Sequence, residues 1–246
     1  MTERFLSVEQ ATRRFAGLVA VDSVSFSLAR GEILSLIGPN GAGKTTLFNL
    51  ITGQLKPSDG AIVFRDEQIN DMAPHARAQR GMGRTFQIAK PLTGLTTREN
   101  VMVGAFLRHR AYADAYDRAS AVLAEVGLEA RAEIPAAELT LSERRRLEVA
   151  RALALEPDLI LLDEVMAGLN ATEVTQVIDL IHRLNARGMT FLVIEHNLKV
   201  VRAFSRRVIV LDHGAKIAEG SAADVLSDPE VVRAYLGKKH AFGGHA

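Results

Sequence analysis

Nine consecutive residues, Gly38-Pro39-Asn40-Gly41-Ala42-Gly43-Lys44-Thr45-Thr46, have the types and spacing that hold a phosphate. They satisfy the pattern Gly-x-x-x-x-Gly-Lys-Thr in full. Glycines let successive backbone N–H groups turn inward onto a β-phosphate, and the helix that follows aims its positive end at the same point. Lys44 is expected to reach the β- and γ-phosphate oxygens. The Thr45 hydroxyl is expected to enter a Mg²⁺ shell. Asn40, Gly41, Ala42, Gly43 and Thr46 complete the cradle, so ATP with Mg²⁺ is the expected ligand. The rival reading is a chance glycine-rich turn with a solvated lysine. A strand pattern before the loop and a helix pattern after it weigh against that.

A second group follows at Leu159-Ile160-Leu161-Leu162-Asp163-Glu164. A fully apolar short run is expected to be a buried strand that delivers two carboxylates at its exposed end. Asp163 is expected to hold Mg²⁺, directly or through water, and Glu164 to polarise an attacking water. The rival is an acidic loop after a core strand, which the upstream phosphate loop makes less attractive.

These residues need a framework. Val21 to Leu28 alternates apolar with polar and predicts a half-buried strand; Glu32 to Ile37 predicts a buried one, and a helix is expected from near Lys44. Ala61 to Phe64 predicts a further strand after the turn Pro57-Ser58-Asp59-Gly60. Strand signals vanish from about Ile88 to Glu156. There Thr97 is expected to cap one helix, Ala111 to Val126 to form a second, and Ser142 to Leu155 a third. Helix Thr172 to Arg187, strand Thr190 to Ile194, a hairpin from Arg207 to Ala218 and two short terminal helices are expected beyond. The predicted fold is α/β. Residues 1–87 and 157–237 form the ATP-binding core, 88–156 an inserted helical subdomain, and 238–246 a frayed tail.

Further residues extend the two groups into a family pattern. The chain resembles the nucleotide-binding domain of ABC transporters: a phosphate-loop core with an antiparallel β subdomain and an inserted α-helical subdomain. Phe15 lies where that family stacks an aromatic on adenine, although a core phenylalanine is a serious rival. Gln87, after Arg84-Thr85-Phe86, resembles the glutamine that touches Mg²⁺ and the water and senses the transporter. His196, in Glu195-His196-Asn197, resembles the switch histidine that contacts the γ-phosphate. Ala167-Gly168-Leu169-Asn170 resembles the loop that crosses to the opposite subunit. The family signature, usually Leu-Ser-Gly-Gly-Gln, is here Leu139-Thr140-Leu141-Ser142-Glu143, followed by Arg144-Arg145-Arg146-Leu147-Glu148. Both glycines are gone, an acid stands in place of the usual glutamine, and Val165 stands where proline is usual. By resemblance, Thr140 and Ser142 would face the ATP of the opposite subunit.

Within the family the chain is similar to the ATPases of branched-chain amino-acid importers, on Gly83-Arg84-Thr85-Phe86-Gln87, Val193-Ile194-Glu195-His196-Asn197-Leu198-Lys199, Ala218-Glu219-Gly220 and Arg233-Ala234-Tyr235-Leu236-Gly237. The resemblance implies ATP hydrolysis that drives separate membrane permease subunits. It also implies a second ATP-binding subunit (a heterodimer, or a homodimer), a periplasmic solute-binding protein as indirect partner, and a place on the inner face of the membrane. An importer for urea or amides, or a soluble ABC ATPase outside transport, stays open. The latter usually carries two cassettes or a long coiled coil, and this chain shows neither.

Composition agrees with that range. The chain has 246 residues, 30 basic and 29 acidic side chains and a formal net charge of +1, which excludes nucleic-acid binding by bulk charge. The absence of cysteine excludes disulfides and thiolate metal sites. The first residues lack the apolar core and small-residue cleavage site of a secretory leader. No apolar run approaches the roughly 18 residues of a membrane-spanning helix.

Overall fold

The computed structural model describes residues 4–85 and 91–240. The chain divides into two compact units, Met1–Pro74 with Leu192–Ala246, and His75–Phe191.

The first unit begins with strand β1 (Arg4–Phe15), paired antiparallel with β2 (Leu18–Ala29) and with β4 (Asp59–Phe64). The two-residue β5 (Glu67–Gln68) closes this four-stranded sheet, in the order β2-β1-β4-β5. Its inner face carries Leu6, Val8, Val24, Leu28, Ile62 and Phe64, all essentially without exposure. Strand β3 (Ile33–Ile37) is buried at every residue and leads into α1 (Lys44–Ile51). Both faces of such a strand are covered, so its sequence is nearly continuous in apolar residues rather than alternating. It runs parallel to β9 (Arg207–Asp212), and β9 pairs antiparallel with β10 (Ala215–Ser221). Helices α7 (Leu198–Phe204), α8 (Ala222–Ser227) and α9 (Pro229–His240) complete the unit. Val201, Val225 and Val231 from these helices pack with Ile37, Val208 and Val210.

The second unit opens with α2 (Pro74–Gln79) and β6 (Met82–Arg84), which pairs parallel with β7 (Leu159–Asp163). Between them lie α3 (Thr97–Ala105), α4 (Tyr112–Glu125) and α5 (Leu141–Leu153). Val101, Ala105, Ala119, Val122, Leu123 and Ala150 are buried among these helices. Small residues bring α3 close to the end of α5: a Cβ on Gly104 would lie 2.8 Å from the Arg151 carbonyl oxygen. Helix α6 (Ala171–Ala186) follows, and the chain passes back to the first unit within β8 (Thr190–Ile194). Among the described residues no helix is long and apolar enough to cross a membrane.

The expected elements are present with small shifts. The cap of α3 is Thr96 rather than Thr97: its side chain accepts the Glu99 N–H while the Glu99 carboxylate accepts the Thr96 N–H. Glutamate three residues after the first threonine decides between the two. Strands β1, β5 and β6 and helices α2 and α7 are additions to the expected elements.

Candidate active site

The phosphate loop takes its shape from its glycines and from backbone contacts to neighbouring segments. Gly38, Gly41 and Gly43 adopt φ of 148°, 82° and 98°, a region that suits glycine. Space makes the same demand at two of them. A Cβ on Gly38 would sit 2.1 Å from the Leu211 carbonyl oxygen, and one on Gly43 would sit 2.3 Å from that of Ala20. The Ala42 carbonyl accepts the Gly214 N–H at 3.1 Å, and the Gly214 carbonyl accepts the Asp22 N–H at 2.8 Å. The loop is therefore fastened to the β9–β10 turn and to β2. Tyr235 of α9 also reaches it. Burial pushes the pKa of this phenol up to about 12, and the Gly38 backbone opposes the shift.

Lys44 is buried, and its Nζ donates to the carbonyls of Gly38 at 2.7 Å and Pro39 at 3.0 Å. The lysine thus crosses the mouth of the loop. Asn40, Gly41 and Thr45 are exposed, Gly43 and Thr46 partly so, and Ala42 is buried. Helix α1 has Gly43 at its N-cap, no side-chain cap and no acidic residue in its first turn. Its first N–H groups thus have no capping carboxylate or hydroxyl, which suits an anion.

Two other expected residues lie in this unit. Phe15 ends β1 and is 39% exposed, with the Arg13 guanidinium 4.7 Å from its ring centre. It is not a core side chain, so one ring face can take a base. His196 is exposed between β8 and α7. The segment is held by Asn197, whose Oδ1 accepts the N–H groups of Lys199 at 3.1 Å and Val200 at 3.4 Å. An asparagine directly before an apolar helical run was the sequence signal for that cap.

In the second unit β7 delivers Asp163, 1% exposed, and then Glu164. Glu164 has φ 51°, an uncommon backbone state for a residue with a side chain. Val165 and Met166 beyond it are buried. Asp163 is tied to β6. Its N–H donates to Thr85 Oγ1 at 3.0 Å, and its Oδ2 accepts from Arg84 Nη2 at 3.2 Å. Sequence reading missed Arg84 as a site residue, because pairing between parallel strands leaves no local signal. Gln87 lies outside the described residues.

The altered signature forms the start of α5. Thr140 is the N-cap: its Oγ1 accepts the Glu143 N–H at 3.3 Å, and the Glu143 carboxylate accepts the Thr140 N–H at 2.9 Å. Arg131 Nε donates to Glu143 at 2.8 Å. Partial burial raises the Glu143 pKa, but the Thr140 amide and Arg131 outweigh it and hold the carboxyl below its ordinary value. Ser142 is buried and Leu141 is 49% exposed. A Cβ on Gly168 would lie 3.0 Å from Leu141 Cδ2, so the loop 167–170 rests against the altered signature.

A glycine-shaped phosphate loop running into an uncapped helix, with a buried strand ending in two carboxylates, defines a phosphate-loop nucleotide hydrolase. Comparison with known proteins carries this further. The ABC transporter family model matches residues 21–167, and a model described as the branched-chain amino acid ATP-binding cassette transporter matches residues 215–241. The chain belongs to the ABC transporter family, as an ATP-binding subunit. It is 38% identical to the high-affinity branched-chain amino acid transport ATP-binding protein LivG of Escherichia coli (strain K12), over 97% of this chain and 100% of LivG. It is 35% identical to the lipopolysaccharide export system ATP-binding protein LptB of the same strain, over 95% of this chain and 97% of LptB. Among solved structures, the ADP conformation of MJ1267, an ATP-binding cassette of an ABC transporter, matches with a TM-score of 0.88 and 32% identity, covering 96% of this chain and 100% of that one. The fold is that of the ABC ATPases, as expected from the sequence.

Proposed function

We propose that this chain is the ATP-hydrolysing subunit of an importer for branched-chain or related hydrophobic amino acids, acting on separate permease subunits from the inner face of the membrane. The observation that carries this is full-length similarity to LivG together with the match of residues 215–241 to the branched-chain cassette model. Leu92, Val103, Phe106 and Tyr112 of the second unit are exposed apolar side chains that a permease helix would cover in this reading. The reading assigns residues 88–156 to the helical insert and 1–87 with 157–237 to the ATP-binding core.

In this reading the backbone of residues 40–46 and Lys44 bind the phosphates, and Phe15 stacks on the adenine. The donor set suits a hard cation: the Thr45 hydroxyl and the Asp163 carboxylate offer oxygen, with Gln87 as a further candidate. Bound Mg²⁺ would neutralise charge that builds on the transferred phosphoryl group. Glu164 takes a proton from the attacking water, and His196 steadies the γ-phosphate end. The chain pairs with a second ATP-binding subunit. The site built on Lys44, Asp163 and Glu164 hydrolyses, whereas the site completed by Thr140, Ser142 and Glu143 turns over slowly.

The test is reconstitution in vesicles with two permeases and the second ATP-binding subunit. Labelled leucine should accumulate with ATP, and Glu164→Gln should cut turnover by about 10²–10⁴, the usual weight of a general base. Turnover near wild type in that variant would defeat the assignment of roles. Uptake of urea or amides but not leucine would redirect the substrate.

A further inference from the structure

The carboxylate assigned to Mg²⁺ already has a cation against it. Arg84 is the last residue of β6, and parallel pairing sets it opposite Leu161, two residues before Asp163. Its side chain is 9% exposed and that of Asp163 1%. Its Nη2 donates to Asp163 Oδ2 at 3.2 Å, while its Nε donates to the Thr85 carbonyl at 3.3 Å. Thr85, fully buried, takes the Asp163 N–H on its Oγ1 and gives its own N–H to Leu161 at 2.9 Å. The last residue of β6 and the one after it therefore hold Asp163, Thr85 through the Asp163 backbone and Arg84 by its charge.

Thr85 alone would fix the backbone of Asp163. Burying a guanidinium costs free energy that an apolar side chain of similar volume would not. Burial does pull the Arg84 pKa down and Asp163 opposes that, yet arginine remains cationic throughout the physiological range. The result is a permanent positive charge within hydrogen-bond reach of the group that must accept a divalent cation. We propose that Arg84 is a positioning residue that sets the Mg²⁺ affinity of the nucleotide site: it orients the Asp163 carboxylate and, by its charge, holds that affinity below what the carboxylate alone would give. This rests on the reading of Asp163 as a Mg²⁺ ligand.

Two roles for Arg84 differ in sign. If it only braced Asp163, its removal would loosen the carboxylate and weaken Mg²⁺ binding. If its charge competes with the metal, its removal strengthens it. The experiment titrates Mg²⁺ against binding of a fluorescent ATP analogue by the full chain, with Mn²⁺ spin resonance as a direct metal readout. Arg84→Gln keeps hydrogen-bond donors and loses the charge, so half-saturation should need about tenfold less Mg²⁺, the scale of one near charge. Arg84→Lys should stay near wild type. Arg84→Met, which keeps the stem, carries the same expectation as Arg84→Gln should that variant fail to fold. An unchanged or increased Mg²⁺ requirement in a folded neutral variant overturns the proposal. Asp163→Asn separates the two levels. It should raise the requirement, and if it leaves it unchanged, the metal-ligand reading fails rather than the role of Arg84 alone.

Discussion

Helices α1 and α5 face the same problem at their N-termini and solve it in opposite ways. Each begins with backbone N–H groups that no earlier turn can satisfy. In α1 the cap is Gly43 and the next three residues are Lys44, Thr45 and Thr46, with no carboxylate. In α5 the cap is Thr140 and the next three are Leu141, Ser142 and Glu143, closed by a capping box. A capping side chain is worth about 1 kcal/mol, so α5 is stable on its own terms while α1 leaves that stabilisation to a ligand. The difference teaches which end takes an anion. A helix that carries its own carboxylate at the third position has less electrostatic reason to accept a phosphate there.

Exchanging these features should break the contrast. Thr46 in α1 occupies the position Glu143 holds in α5, and Thr46→Glu should weaken ATP binding by more than about 100-fold, through like charges at close range in a partly buried site. Calorimetry with a non-hydrolysed analogue measures it, and binding within threefold of wild type would show that the open helix end is not the phosphate site. Phe15→Ala asks whether the open end takes a nucleotide or only phosphate. Loss of base stacking should cost about 1–3 kcal/mol, roughly tenfold or more in affinity for ATP, with no change for inorganic triphosphate. In the other direction, Glu143→Gln keeps a side-chain acceptor for the Thr140 N–H but removes the charge from α5. Turnover of the assembled complex should rise two- to fivefold, on the order expected from removing one screened charge, and a fall would place Glu143 among the residues that support hydrolysis.

The smallest effect is in pH. The Glu143 carboxyl sits below its ordinary value of 4.5 in the folded chain. Its ionised form is the one stabilised, so the contribution is fully present above that value and is lost as the pH falls through the lower folded-state value. The melting-temperature gap between wild type and Glu143→Gln, a degree or two for a pair worth ~0.5 kcal/mol, should close on acidification. A gap that widened in acid would contradict the ion pair with Arg131.

Much of this was legible in the sequence because local rules sufficed. The run Leu159 to Leu162 could only be a covered strand, and Gly38 to Thr45 carries its backbone requirements in its glycines. Strand β1 was harder to read: Arg4, Glu9, Gln10, Arg13 and Arg14 interrupt its apolar alternation, and its pairing with both β2 and β4 overrides weak local preference. Strand β6 is three residues long and acquires its meaning from β7. The same distance hid Arg84, whose partner lies 79 positions later. The signature shows a third case. Its residues were read as departures from a pattern; Thr140-x-x-Glu143 already has the spacing of a capping box, and the structure adds the pairing of Glu143 with Arg131.

The fastening of Ala42 to Gly214 bears on how the protein is made. Synthesis proceeds from the N-terminus, and domains fold as their parts emerge. The phosphate loop is translated well before the turn at Gly214 that clasps it. A nascent chain that stalls before the β9–β10 hairpin would hold every residue of the loop without its shape. ATP therefore cannot assist the folding steps that precede the hairpin, and nucleotide binding becomes a sign that the hairpin has been made. Arrested ribosome complexes of increasing length would reveal it, with capture of labelled ATP appearing in one step once the hairpin clears the exit tunnel.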